Sequence, residues 1–278
     1  MAAPSVCVAI PVKNGRDYLG EAIESVLAQT GVDLTVRVLD NRSEDDSLEI
    51  ARAYASDPRL TADRNAEDVF YYGSLNRVLD ETEADYFVPF AADDVMLPGN
   101  LERKVALLVA TGAAFASSPV REIDRLGSAV GIWPPVDAGE IPTLTPAPDY
   151  FLRLIPQNTV AAQAVVARTS ALRAVGGFDG RSYYAGDWLT WLRLSLRWPV
   201  ATEHEPLVAY RRHAEAGNLA SNAKGLNGRD VPATLDRVFL DEAMPDGWMG
   251  ARGRLVAATH AAVAATLRDS GICRVSQG

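Results

Sequence analysis

The order in which two periodicities alternate along the first 120 residues constrains this chain more than any other feature. Residues 5–12 are an apolar run of strand length. Residues 18–29 follow with Leu19, Ile23, Val26 and Leu27 at the i, i+4, i+7, i+8 spacing of a one-faced helix. Residues 34–39 form a second strand ending at Asp40, and Asn41, Arg42, Ser43 and Glu44 supply turn and cap residues for a helix over 45–55. A short strand over 59–62, a helix over 73–81 and an aromatic, β-branched strand over 86–91 continue the pattern, and the last runs straight into Asp93 and Asp94. Pro98 opens a further helix in its first turn, where its missing N–H costs little, and residues 113–118 read as another buried strand. Such alternation favours parallel strands with right-handed crossovers, so the expected class is α/β.

Between residues 132 and 156 six prolines accumulate, at positions 134, 135, 142, 146, 148 and 156, and the segment reads as a long surface loop crossing to a second half. That half opens with a strand over 160–168 and a helix stop at Gly176 and Gly177. Gly186 and Asp187 then begin a helix bearing Trp188, Leu189, Trp191, Leu192 and Leu196, apolar on more than one side and therefore buried. Residues 200–213 read as extended, and an Ala-rich helix is expected over 252–268.

Bulk properties narrow the function. With 27 Lys+Arg against 36 Asp+Glu the formal net charge is -9, which argues against nucleic acid and anionic membranes as partners. A phosphate-bearing small ligand stays compatible, because a metal ion or a helix N-terminus can hold it inside an acidic protein. Two cysteines, Cys7 and Cys273, make neither a disulfide framework nor a zinc site. The N-terminus lacks the basic leader of a signal peptide, and the longest uncharged stretch, 105–120, is interrupted and too short for a bilayer, so no transmembrane segment and a cytoplasmic location are expected.

In an open parallel sheet the ligand crevice lies beyond the carboxyl ends of the strands, near the point where strand order reverses. Three polar clusters fall at such ends: Pro11-Val12-Lys13-Asn14, Asp40-Asn41 and Asp93-Asp94. Paired carboxylates there suit a hard divalent cation that also takes diphosphate oxygens, although an Asp-Asp pair serves equally as a turn or helix cap.

The run from Val8 to Asn14, the run from Val38 to Asp45, and Phe90-Ala91-Ala92-Asp93-Asp94 with Pro98 resemble the family 2 glycosyltransferases of the GT-A fold. Gly176-Gly177-Phe178-Asp179, Gly186-Asp187 and Tyr210-Arg211-Arg212-His213 match that family's second-half signatures in order. The resemblance implies a Rossmann-like, mostly parallel central sheet flanked by helices, with a C-terminal acceptor-side subregion and a helical tail. It divides the chain into a nucleotide-sugar-binding half over 1–131, an acceptor and catalytic-base half over 132–230, and a C-terminal helical extension over 231–278.

It also implies an inverting enzyme that moves one sugar from a nucleoside-diphosphate sugar, with UDP the default nucleotide, to a small hydroxyl- or amine-bearing acceptor with Mg2+ or Mn2+. Pro11, Val12, Asn14, Asp40 and Asp93 would bind the donor, Asp94 and His213 would ligate the metal, and Asp187 would be the catalytic base. Tyr183, Tyr184 and Trp188 flank that base as acceptor-side candidates, with ordinary packing as their alternative. Three departures stand out. Ala91 occupies the place of the first acid in an Asp-x-Asp-Asp string, Asn41 that of a common second Asp, and Gly186 that of a frequent Glu. They leave open a catalytically degenerate nucleotide-sugar-binding protein. A sugar-1-phosphate nucleotidyltransferase would need a Gly-rich basic loop after the first strand, for which Lys13-Asn14-Gly15-Arg16 is a poor substitute. Arg197-Trp198 lacks the Gln three positions before the Arg that marks processive synthases, since Leu194 stands there, so single transfers are implied.

Overall fold

The structure is a computed structural model that describes residues 3–134, 143–182, 185–213, 233–234 and 236–238. Its elements run β1 (Ser5–Val12), α1 (Leu19–Leu27), β2 (Asp33–Asp40), α2 (Ser47–Ala53), β3 (Leu60–Arg64), α3 (Phe70–Glu81), β4 (Tyr86–Pro89), β5 (Val95–Met96), α4 (Asn100–Thr111), β6 (Phe115–Ser117), β7 (Val120–Ile123) and β8 (Ala129–Trp133). After these come β9 (Leu144–Thr145), α5 (Asp149–Leu154), a 3-10 turn (Ala162–Ala164), β10 (Val166–Arg168), α6 (Thr169–Ala174), α7 (Gly186–Arg197), β11 (Val200–Thr202) and β12 (Val208–Arg211).

β1 is buried almost throughout, as a strand covered on both faces must be. Its alternate residues feed two cores. Val6, Val8, Ile10 and Val12 pack with Leu19, Ile23 and Val26 of α1 and Leu101, Val105 and Leu108 of α4. Cys7 and Ala9 point the other way, into Leu75 and Val78 of α3, Phe151 of α5 and Trp191 of α7. An eight-stranded sheet thus lies between two helical layers, in the order β3-β2-β1-β4-β10-β6-β11-β9. β3, β2, β1 and β4 are mutually parallel, and the order reverses beside β1, which opens a crevice above the carboxyl ends of β1 and β4.

The second half departs from simple alternation. β10 enters antiparallel between β4 and β6, making the sheet mixed. The strand expected over 160–168 is confined to β10, because the preceding residues turn through the 3-10 segment. The extended stretch expected over 200–213 divides between sheets: β11 joins the large one, and β12 joins a second sheet in the order β5-β12-β7-β8. Arg103 of α4 holds the intervening bend through ion pairs to Glu203 (2.9 Å) and Glu205 (2.5 Å).

The proline-rich segment is no plain surface loop. It contains β9 and α5, whose Tyr150, Phe151 and Leu154 are buried in the core. Prolines there open the helix instead of excluding one, with Pro148 at its N-cap. Residues 252–268, where a terminal helix is expected, lie outside the described residues.

Candidate active site

The crevice is built first from the end of β1. Pro11 and Val12 are buried strand residues, and the Val12 carbonyl accepts the Asn41 N–H at 2.7 Å, which ties the ends of β1 and β2 together. Asn14 sits exposed in the left-handed region at φ 53, a conformation Asn tolerates better than most residues. Its N–H donates to Ser43 Oγ (2.9 Å) and its Oδ1 accepts the Glu44 N–H (2.8 Å), so the loops after β1 and β2 brace each other.

Asp40 is fully buried at the end of β2, where it accepts the Ser43 N–H at 3.2 Å and pairs with Arg64 Nε at 2.8 Å. Asn41 does what an aspartate there cannot: its amide nitrogen donates to Asp68 (2.6 Å) while its oxygen accepts from Asn65 Nδ2 and the Val69 N–H (both 3.1 Å). Asp68 also pairs with Lys13, so this network fixes the loop that enters α3.

The loop after β4 carries the acidic pair, and the two residues differ. Asp93 keeps 30% of its side chain exposed, and its Oδ2 lies 2.9 Å from His213 Nε2. Asp94 is 1% exposed. Its Oδ1 accepts the Arg211 N–H at 2.7 Å, while Oδ2 meets no donor at hydrogen-bonding geometry among the described residues. Burial and then the neighbouring charge of Asp93 push the Asp94 carboxyl well above the usual range, with the Arg211 N–H and guanidinium and the Gln163 side chain opposing. Arg211, itself 2% exposed, reaches the Asp93 carbonyl (2.9 Å) and Glu21 (2.6 Å) and lies over the Tyr18 ring. The small sheet therefore brings β12 and His213 against the acidic loop.

Asp187 stands in the first turn of α7. Its Oδ1 accepts the Trp188 N–H (2.7 Å) and the Tyr72 hydroxyl (3.2 Å), and Asn158 Nδ2 stands 3.5 Å from Oδ2. Burial pushes its carboxyl up to about 6 against these hydrogen bonds. Burial and then the charges of Asp187, Asp94 and Asp93 push the Tyr71 phenol up.

Residues 7–137 match the description Glycosyl transferase family 2. A Bacillus subtilis protein, EpsE, is 32% identical over 109 residues, which cover 38% of this chain and 39% of EpsE. An uncharacterized glycosyltransferase of Haemophilus influenzae is 26% identical over 255 residues, 86% of this chain and 76% of that protein. The matched segment, 131 of the 278 residues, is similar to glycosyl transferase family 2. Solved structures share the fold over nearly the whole chain. S. aureus TarS 1-349 in complex with UDP-GlcNAc superimposes with a TM-score of 0.76 at 16% identity over 98% of this chain and 76% of that one. The mannosyltransferase PcManGT from Pyrobaculum calidifontis, in complex with GDP-Man and Mn2+, gives 0.65 at 17% identity over 99% and 77%.

The expected site residues fall into three groups: Asp93 pairs with His213 beside Asp94, Asp187 sits at the start of α7 with Tyr72 and Asn158, and Pro11, Val12, Asn14 and Asp40 shape the loops after β1 and β2. Trp188 differs from its expected place on the acceptor side. It is 3% exposed and its indole N–H donates to the Leu154 carbonyl (3.0 Å), so the ring serves as core packing. Tyr183 and Tyr184 lie outside the described residues. Sequence reading assigns no role to Tyr71, Tyr72 and Asn158, and marks Arg211 only as part of the Tyr210–His213 signature. The aromatic run Phe70-Tyr71-Tyr72 reads as packing, and only its position one helix before the acidic strand end marks it as crevice-facing. No group of three or more His, Cys, Asp or Glu side chains poised to hold a metal occurs among the described residues, and no described helix is long and apolar enough to cross a membrane.

Proposed function

We propose that this glycosyltransferase is an inverting, divalent-metal-dependent enzyme that moves one sugar from a nucleoside-diphosphate sugar, UDP by default, to a hydroxyl or amine of a small acceptor. The observation that carries the reading is the Asp93–His213 pair, 2.9 Å apart at the loop after β4, beside the place where the strand order reverses. TarS and PcManGT, of the same fold, were solved with UDP-GlcNAc and with GDP-Man and Mn2+.

The chemistry of the donor set fits a cation shared with a diphosphate. Asp93 and His213 offer one carboxylate and one imidazole nitrogen side by side, and a metal of this kind commonly completes its shell with phosphate oxygens. We therefore propose Asp93 and His213 for the metal, in place of the Asp94–His213 pair that the family resemblance implied. Asp94, whose Oδ1 is committed to the Arg211 N–H, props the loop from beneath. Bound there, the ion supplies positive charge for the departing diphosphate. Asp40 and the Pro11–Asn14 turn form the nucleoside end of the site. Residues 1–131 then act as the donor half and 132–230 as the acceptor half.

Asp187 accepts the proton of the acceptor O–H or N–H as that atom forms its bond to the anomeric carbon. The bond from that carbon to the diphosphate oxygen breaks with its electron pair leaving on the nucleoside diphosphate. A carboxyl raised to about 6 is a stronger base than an ordinary aspartate and is still mainly ionised near neutral pH. The test is release of free UDP from UDP-GlcNAc, and of GDP from GDP-mannose, with and without Mn2+. Release that needs the ion, stops with chelator and vanishes in Asp187→Asn supports the assignment. Release indifferent to both chelator and Asp187→Asn contradicts it.

A further inference from the structure

We propose that Tyr72 is a positioning residue for the Asp187 carboxylate: its ring fills the space that Gly186 leaves open, and its hydroxyl engages Oδ1 so that Oδ2 faces the acceptor. The inference rests on the reading of Asp187 as the base. A Cβ at position 186 would lie 2.6 Å from Tyr72 Cε2, 2.8 Å from Tyr72 Cδ2 and 2.7 Å from the Asp179 carbonyl oxygen, well inside contact distance. Residue 186 therefore bears no side chain while the Tyr72 ring stands where it does. The ring is held by packing. It stacks on Phe178 at 6.2 Å between centroids and meets Tyr71 edge-on at 5.4 Å, and the residue is 7% exposed. Phe178 in turn abuts Trp191 edge-on at 5.9 Å, so the position of the hydroxyl is set by the core before any substrate arrives.

The consequence lies in how the two carboxylate oxygens are used. Oδ1 takes both the Trp188 N–H and the Tyr72 O–H, which occupies its two lone-pair directions. Oδ2 has the Asn158 amide at 3.5 Å, the far limit of a hydrogen bond, and is the oxygen left to receive a proton. The titratable groups acting with Asp187 are Tyr72 and Tyr71 from α3, and Tyr71 also feels the charges of Asp94 and Asp93.

Titration of the Asp187 carboxyl, followed by carbon NMR on protein labelled at aspartate Cγ and assigned with Asp187→Asn, tests this without a substrate. Tyr72→Phe keeps the ring and removes the donor to the ionised form, so the midpoint should rise by on the order of one pH unit. Release of UDP from UDP-GlcNAc with Mn2+ should show its acid limb moving with that midpoint. Its rate should fall roughly tenfold, the loss of one hydrogen bond to a charged group, with KM for UDP-GlcNAc unchanged. Gly186→Ala, which pushes the ring away, should raise the midpoint in the same direction and decides the matter if Tyr72→Phe fails to fold. A midpoint that stays in place overturns the proposal. Parental UDP release by Asp187→Asn would instead remove the base assignment, while the titration would still read the Tyr72 contact.

Discussion

At the scale of single residues, Asp187 connects stability to chemistry. Its folded-state carboxyl binds a proton more tightly than in the unfolded chain, so the fold loses stability as pH rises from the ordinary value of 3.8 through about 6. Asp187→Asn removes that loss. The variant should match the parent near pH 4 and exceed it above pH 7 by on the order of 2–3 kcal/mol in urea unfolding, since a shift of one unit is worth about 1.4 kcal/mol. Its UDP release should fall by about a hundredfold or more, the share a general base commonly supplies. Destabilisation at neutral pH would mean that the carboxylate is structural. His213→Ala should raise the Mn2+ concentration that half-saturates UDP release by roughly tenfold or more while leaving the fold intact. Unchanged Mn2+ dependence would remove His213 from the metal site.

Among elements, α4 carries a side chain that no motif announces. Lys104 is fully buried, its Nζ donates to the Ala164 carbonyl at 2.6 Å, and burial holds its ammonium down to about 7. The unfolded chain binds this proton more readily than the folded one between about 7 and the ordinary 10.5, so stability should climb with pH across that window. Lys104→Met should flatten the climb between about pH 7 and pH 9 in urea titrations, and an unchanged slope would place its origin elsewhere. The same helix shows what periodicity reveals and what it hides. Leu101, Val105 and Leu108 mark its buried face in the chain itself, whereas Lys104 sits on that face as a charge that only tertiary contact explains. β1, β2 and α1 were legible because each is covered by its immediate neighbours in sequence. α3 begins at Phe70, three residues before the expected start at Gly73, through a left-handed residue (φ 58) that propensity does not foresee. The antiparallel entry of β10 and the division of 200–213 between two sheets depend on partners far along the chain, which local spacing cannot encode.

For the whole molecule, the donor-side loops were legible because strand ends collect at one edge of a parallel sheet. The proposed base, Asp187, was singled out only through the family resemblance. What escaped were the residues whose role comes from tertiary approach: Tyr71 edge-on to Tyr72, Tyr72 beside Gly186, and Arg211 against the acidic loop. Asp94 precedes Arg211 by more than a hundred positions, yet their contact sets how the acidic pair divides its tasks. If the crevice is one site, ligands that use both the metal and the nucleotide loops should stabilise the fold together. UDP with Mn2+ should raise Tm by more than the two separate shifts combined, by mass action on the folded state. Purely additive shifts would indicate independent sites. The most direct measurement is the anomalous scattering of manganese in crystals grown with UDP and Mn2+. The account predicts one strong peak in the crevice bridging Asp93, His213 and the diphosphate, on the side facing Asp187. A peak bound away from Asp93, or a diphosphate seated outside the space shared with Asp187, would contradict it.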